Sequence, residues 1–264
     1  MILRLILAGL LALSQVAATT FLPLTGAGKN QQYYAASFNC GGTPWLTRGA
    51  GFTGAVDSKQ LTISLWLAKR TVDAVNYRIL TSDNSVAFLQ FYIGSNNRLT
   101  LTAPGTGGAN VIVVTATTDY LAADGWVHTL LSFDLSNSSN RFYYRNDVAQ
   151  SPTWSTYTDA VMDFTLSNWG VCALVGGSQS RSMDIAGFQV WFGQYIDLSV
   201  EANRRLFIDA NGKPVDPAVA VAALGTPTLQ LTDPAPASYI NLGSGGGMTV
   251  NNGPLSPGTG SPSD

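Results

Sequence analysis

The chemistry open to this chain is set by a short supply of reactive side chains: one histidine (His128), one glutamate (Glu201) and two cysteines (Cys40 and Cys172) among 264 residues. Glycoside hydrolysis needs two carboxylates facing the scissile bond. Glu201 stands alone, in helix-like text, and no strand-like stretch carries two alternating carboxylates. A serine-hydrolase triad would have to use His128. That residue sits in "GWVHTLLSFD" on the same strand face as Trp126 and Leu130, the setting of a packed sheet histidine. Cys40, Cys172 and one histidine are too few for a zinc site. The cysteines are either bonded in an oxidising compartment or buried as free thiols, and composition leaves both readings open. "GTGG" at 105–108 and "GSGGG" at 243–247 do not open a helix after a strand, so they read as loops and not as phosphate cradles. The chain is expected not to be an enzyme.

Binding chemistry is better represented. Sugars are held by aromatic faces and planar polar groups, and "SPTWSTYTDA" offers Trp154, Tyr157 and Asp159 in a polar stretch without clean alternation. The competing reading is that Trp154 and Tyr157 pack over the end of a sandwich, because aromatic residues supply so much buried area. "TSDNS" adds Asp83 and Asn84 at a tight turn, either for a glycan or for a calcium ion, although both residue types also favour turns for their own backbone hydrogen bonds. No cofactor is required by any motif, and calcium is the one ion for which ligands could be named. Trp45 and Trp66 lie in strand-like text and read as core or sheet-face residues.

These residues need elements to hold them, and the elements read as strands. "LTISLWLAK" (61–69) puts Leu61, Ile63, Leu65 and Leu67 on one face and Thr62, Ser64 and Trp66 on the other. Similar runs follow at intervals, separated by "SNN", "PGTGG", "ADG" and "SNSSN", the pattern of an antiparallel β-sandwich. One helix of about three turns is predicted over "DLSVEANRRLFIDANG", with Asp197 or Ser199 as cap, Glu201 in the first turn, Arg204 and Arg205 near the last and Asn211-Gly212 at the end. A strand near "TLQLT" and a Gly-, Pro- and Ser-rich tail without its own core complete the chain.

Charged residues make up 11% of the chain, under half the usual share of about 25%, and the formal net charge is −2. No basic run is present, so nucleic acid is not an expected partner. The first twenty residues, "MILRLILAGLLALSQVAATT", have the grammar of a secretory signal ending at Ala18. Their apolar run is shorter than the roughly 20 residues a membrane span needs, so no transmembrane anchor is expected.

In order along the chain, "LTISLWLAKR", "DGWVHTLLSFDLSNSSNRFYYRND" and "SRSMDIAGFQVWFGQYIDLSVEANRRLF" resemble the strand, hairpin and closing strand-plus-helix of the laminin-G-like branch of the concanavalin A-like family. The likeness covers about residues 36 to 210. It implies an all-β antiparallel jelly-roll sandwich with one short C-terminal helix. The implied organisation is an N-terminal apolar arm or signal segment at 1–34, a jelly roll at 35–212 and an extension with tail at 213–264. A narrower likeness, carried by "FGQYIDLSVEANRRLFIDANGKPVD", "GTPTLQL" and "NLGSGGGMTVNNG", is to laminin-G-like virion proteins of alphaproteobacterial tailed phages and prophages. That likeness implies a head decoration or fibre protein contacting capsid or tail proteins and other copies of itself, and binding host-surface glycans, with "LRLILAGLLAL" as an assembly arm. The alternative is an exported carbohydrate-binding lectin-like protein, secreted or at the cell surface, with the signal removed and Cys40 joined to Cys172.

Overall fold

A computed structural model describes residues 37–41, 44–82, 88–232 and 241–264. The N-terminal arm or signal segment and the pair Asp83 and Asn84 lie outside the described residues. In chain order the strands are β1 (Ser37–Asn39), β2 (Trp45–Arg48), β3 (Gln60–Lys69), β4 (Tyr77–Ser82), β5 (Gln90–Ile93), β6 (Arg98–Pro104), β7 (Asn110–Asp119) and β8 (Val127–Asp134). They continue as β9 (Arg141–Arg145), β10 (Val148–Ala149), β11 (Thr153–Tyr157), β12 (Trp169–Val171), β13 (Met183–Phe192), β14 (Leu229–Leu231), β15 (Thr249–Asn251) and β16 (Ser256–Pro257). Two short helices, α1 (Glu201–Arg204) and α2 (Pro217–Leu224), fall between β13 and β14.

The strands form two antiparallel sheets. The first runs β10-β9-β8-β3-β13-β1-β16, with β14 also on β13; the second runs β11-β7-β6-β5-β4-β12-β2-β15. Facing side chains fill the space between them. Leu61, Ile63, Leu65 and Leu67 of β3 and Val127, Leu131 and Phe133 of β8 meet Leu80, Phe91, Leu101 and Val114 of the second sheet in one cluster. Burial of these alternating apolar faces is what drives two sheets together. The fold is an all-β antiparallel sandwich, as the period-2 runs predict, and a jelly roll, as the resemblance implies.

The other face of β3 and β8 is buried as well. Residues 194–224 fold back across it, so that Ile196, Leu198, Phe207 and Ala220 pack on Leu130, Tyr144 and Trp191. Polar groups of that face find partners in the same layer. Thr62 donates to the Gln194 carbonyl, Trp191 Nε1 to that of Gly225, and the Ile196 amide to Ser132 Oγ. Asp147, in the β9–β10 turn, holds both Arg204 and Arg205 at 2.6 and 2.7 Å. This covering layer is why Thr62, Ser64 and Trp66 are small or aromatic and not charged.

The predicted three-turn helix is one turn long. Asp197 does not cap it but accepts from Ser199 N and Oγ, and the chain leaves the helix after Arg204 because Phe207 and Ile208 are both drawn into buried positions. Ile208 bridges to Pro214 across a turn closed on Asp209. The longer helix is α2, with Asp216 accepting from Ala218 N, Pro217 in the first turn and Gly225 at its end, the usual punctuation of a helix. The Gly-, Pro- and Ser-rich tail adds to both sheets. β15 pairs with β2 and β16 with β1. Buried Asp184 fixes the last turn, accepting from Arg70 Nε (2.6 Å), Asn39 Nδ2 (2.5 Å) and Thr259 N (2.7 Å). Gly245 lies so close to Thr228 that an added Cβ would come within 2.5 Å of its carbonyl oxygen, which explains a glycine run there better than a ligand would.

Candidate functional site

Trp154 and Tyr157 come together, but they point into the sandwich. The register places Leu46, Val171, Leu80, Phe91, Leu101, Val114 and Trp154 in one row across the second sheet, and that row faces the core. A register shift between Trp154 and Thr156 turns Tyr157 inward too, opposite Ile112; this is how a β-bulge brings residues three apart to one face. The two rings meet edge to face at 5.6 Å and both abut Phe133. Arg141 stands over them, 5.6 and 5.3 Å from the ring centres. The Tyr157 hydroxyl donates to the Asp134 carbonyl at 2.7 Å, and burial raises its pKa to about 12. Asp159 turns away to pair with Lys59 at 2.7 Å.

His128 is fully buried under the covering layer. Its Nε2 lies 3.0 Å from Ser64 Oγ, its ring lies 4.9 Å from that of Trp66, and Nδ1 has no partner among the described residues. Burial lowers its pKa to about 3, opposed by the more distant Asp147 charge. A neutral histidine sealed beside a serine, with no access for a substrate, is a packing element. Cys40 and Cys172 are joined in a disulfide that ties the end of β1 to the end of β12. Among the described residues no group of three or more His, Cys, Asp or Glu side chains is gathered as a metal ion would require.

The outer face of the second sheet is the surface that sequence reasoning missed. Alternation with Phe91, Leu101 and Val114 turns two rows outward: Gln90, Thr102, Val113 and Thr156, and Tyr92, Thr100, Thr115 and Thr153. Unlike the first sheet, these strands carry no third layer among the described residues, and most of these side chains are reached by solvent. The loop from Cys172 to Ser182 forms a wall along one side. Thr81 Oγ1 donates to the Ala173 carbonyl at 2.9 Å, and Gly177, at φ +82°, packs flat on the Trp45 ring. A Cβ at Gly177 would come within 2.5 Å of that indole.

Where floor meets wall stands Arg78, nearly buried. Its NH1 donates to Gln90 Oε1 at 2.6 Å, its Nε donates to Gln179 Oε1 at 2.8 Å, and its guanidinium lies 4.5 Å from the centre of the Tyr92 ring. Burial lowers its pKa from the ordinary arginine value, yet an arginine stays charged at neutral pH. Because both glutamine oxygens are engaged, both amide nitrogens are left as donors, and neither they nor the Tyr92 hydroxyl has a partner among the described residues. One buried cation thus orients two planar amides and an aromatic ring. The floor rows carry no carboxylate, and the nearest charges on these strands are Arg98 and Asp119, paired with each other at 3.4 Å. The arrangement can hydrogen-bond a hydroxyl-rich ligand.

No protein-family model matches the chain, and no curated protein matches it. Solved structures do. A candidate carbohydrate-binding protein from Bacteroides ovatus superposes with a TM-score of 0.55 at 14% identity, over 86% of this chain and 60% of that one. A heptameric SAP-like pentraxin from Limulus polyphemus gives 0.44 at 15% identity, over 62% and 79%. The receptor-binding domain of botulinum neurotoxin D gives 0.46 at 12%, over 71% and 50%. The chain therefore spans about half to three fifths of the length of two of these three proteins. The Bacteroides match shows the fold alone, a jelly-roll β-sandwich. Among the described residues no helix is long and apolar enough to cross a membrane.

Proposed function

We propose that this chain is a non-enzymatic lectin-like module that binds neutral carbohydrate on the outer face of its second sheet. The observation that carries the reading is the asymmetry of the sandwich. One sheet is covered on its outer side by 194–224, while the other is covered by none of the described residues and lined with threonine hydroxyls, two oriented glutamine amides and Tyr92. Planar amides and an aromatic ring beside hydroxyls are the groups that grip sugars, and with no carboxylate in the floor rows and the Arg78 guanidinium already engaged by both glutamines, the donors presented suit a neutral, hydroxyl-rich ligand. The name of the Bacteroides protein, candidate carbohydrate binding, supports the same use of the fold. The disulfide supports work outside the cytoplasm, secreted or at a surface, because such bonds persist in oxidising compartments.

The virion placement is the second reading, supported by the likeness of 192–253 to phage laminin-G-like proteins. It requires chains that begin at Met1 in purified particles, whereas export requires chains that begin at Thr19. A glycan array probed with the wild type and with Tyr92→Ala tests the binding reading itself. Retained neutral glycans in the wild type, lost in the variant, are expected; a wild type that retains none removes the proposal.

A further inference from the structure

The loop that walls the sheet face has a second side. Beyond Gln179 its residues Ser180, Arg181 and Ser182 line one bank of a groove of about 420 Å³, and Thr71, Val72 and Val75 of the β3–β4 loop line the other. That volume lies within the range of small-ligand sites, about 300–1,000 Å³. Three cations cluster at this end of the sandwich, and two are already neutralised. Lys69 binds Asp73 Oδ1 (2.5 Å), Asn97 Oδ1 (3.0 Å) and the Tyr120 carbonyl (2.8 Å), and Arg70 binds Asp184. The carboxylates of the two loops and of β13 at this end, Asp73 and Asp184, are the ones so engaged. Arg181 is exposed, forms no ion pair among the described residues, and makes one long contact, 3.4 Å, to the carbonyl of Ser180.

We infer that the groove is an oxyanion site in which Arg181 receives the carboxylate or sulfate of a small acidic molecule, with Val72 and Val75 against its carbon skeleton. A guanidinium presents paired donors that match a carboxylate or sulfate edge, and an unneutralised one is free to do so. Val72, 55% exposed, and Val75 give the apolar contact that a bare ion would not use but a sugar ring would. The site differs in charge preference from the neutral sheet face and does not depend on it.

The test is an NMR titration with inorganic sulfate, glucuronic acid and glucose, read on the backbone amides of the groove residues Thr71, Val72, Val75, Ser180 and Ser182 in the wild type, Arg181→Gln and Arg181→Lys, and on the Arg181 Nε–Hε signal in the wild type. Sulfate and glucuronic acid are expected to shift these signals and glucose not. Arg181→Gln is expected to weaken binding about tenfold or more, as loss of a charged hydrogen bond does, and Arg181→Lys to keep part of it. Tighter binding of glucuronic acid than of sulfate is expected and identifies an acidic sugar as the ligand source; equal or weaker binding overturns the contact with Val72 and Val75 and leaves a bare oxyanion as the ligand. No shift with either anion, an equal shift with glucose, or unchanged affinity in Arg181→Gln overturns the inference. A silent glycan array with anion binding intact would remove the proposed function and leave the groove. Neutral glycans on the sheet face with no anion bound would do the reverse.

Discussion

Lowering the pH from 7 to 5 puts a proton on histidine in the unfolded chain but not on His128 in the folded one. The buried ring has its pKa lowered from 6.5 to about 3, so between those values only the unfolded state gains the proton. Stability is then complete above pH 6.5 and falls as pH drops, by about 1.36 kcal/mol per pH unit. The loss is about 2 kcal/mol at pH 5 and about 3.3 kcal/mol at pH 4. Asp134 and Asp147, whose pKa values are also lowered in the fold, act in a different window. Their stabilisation is present above the unfolded carboxylate value near 3.8 and is lost only below it, so the interval from pH 7 to pH 5 reports on His128. Urea unfolding at pH 7, 6 and 5, with the disulfide intact, measures the slope. His128→Gln is less stable at every pH, but its loss between pH 7 and pH 5 is expected to be smaller than the wild type's by about 2 kcal/mol. Parallel slopes in the two proteins would refute the assignment of a sealed neutral histidine.

Asp184→Asn leaves Arg70 without its counter-charge and weakens the hold on Thr259. A loss of about 3 kcal/mol is expected, the lower end for a broken buried pair because Arg70 is partly exposed, and limited proteolysis should then remove residues after β16 first. The disulfide closes a sequence separation of 132 residues, so the double variant Cys40→Ser, Cys172→Ser is expected to lose up to about 5 kcal/mol by the loop-entropy estimate. Urea midpoints of wild type and double variant that coincide would mean that the two thiols do not stabilise the fold as a bond.

The sandwich was legible because β3, β7 and β8 carry apolar residues at alternate positions, and that period survives wherever one face meets the core. The covering layer was harder to see. Its helix α2, "PAVAVAAL", has an Asp cap, an early Pro and a closing Gly, but it is apolar all round and lacks the 3.6-residue stripe by which helices are found. The sequence leaves Trp154 and Tyr157 between a sugar-binding and a packing reading for a related reason: the bulge between them breaks the alternation that marks inward-facing residues. The polar face of the second sheet is not legible in the sequence because its members come from five strands and one distant loop. Arg78, Gln90, Tyr92 and Gln179 are 101 residues apart at the extremes, and only strand register brings them together. Breaks in register at Arg78/Leu80 and Arg98/Thr100 are invisible in composition.

The central claim, that the open face of the second sheet is where this protein binds sugar, is tested most directly by mapping amide shifts while titrating a neutral oligosaccharide retained on the array. The account predicts that perturbed residues cluster on β5, β6 and β7 and on the wall around Gln179, with Trp154 and Tyr157 unmoved. Shifts centred instead on Trp154, Tyr157 and Arg141, with the Gln90–Tyr92 strand silent, would contradict it.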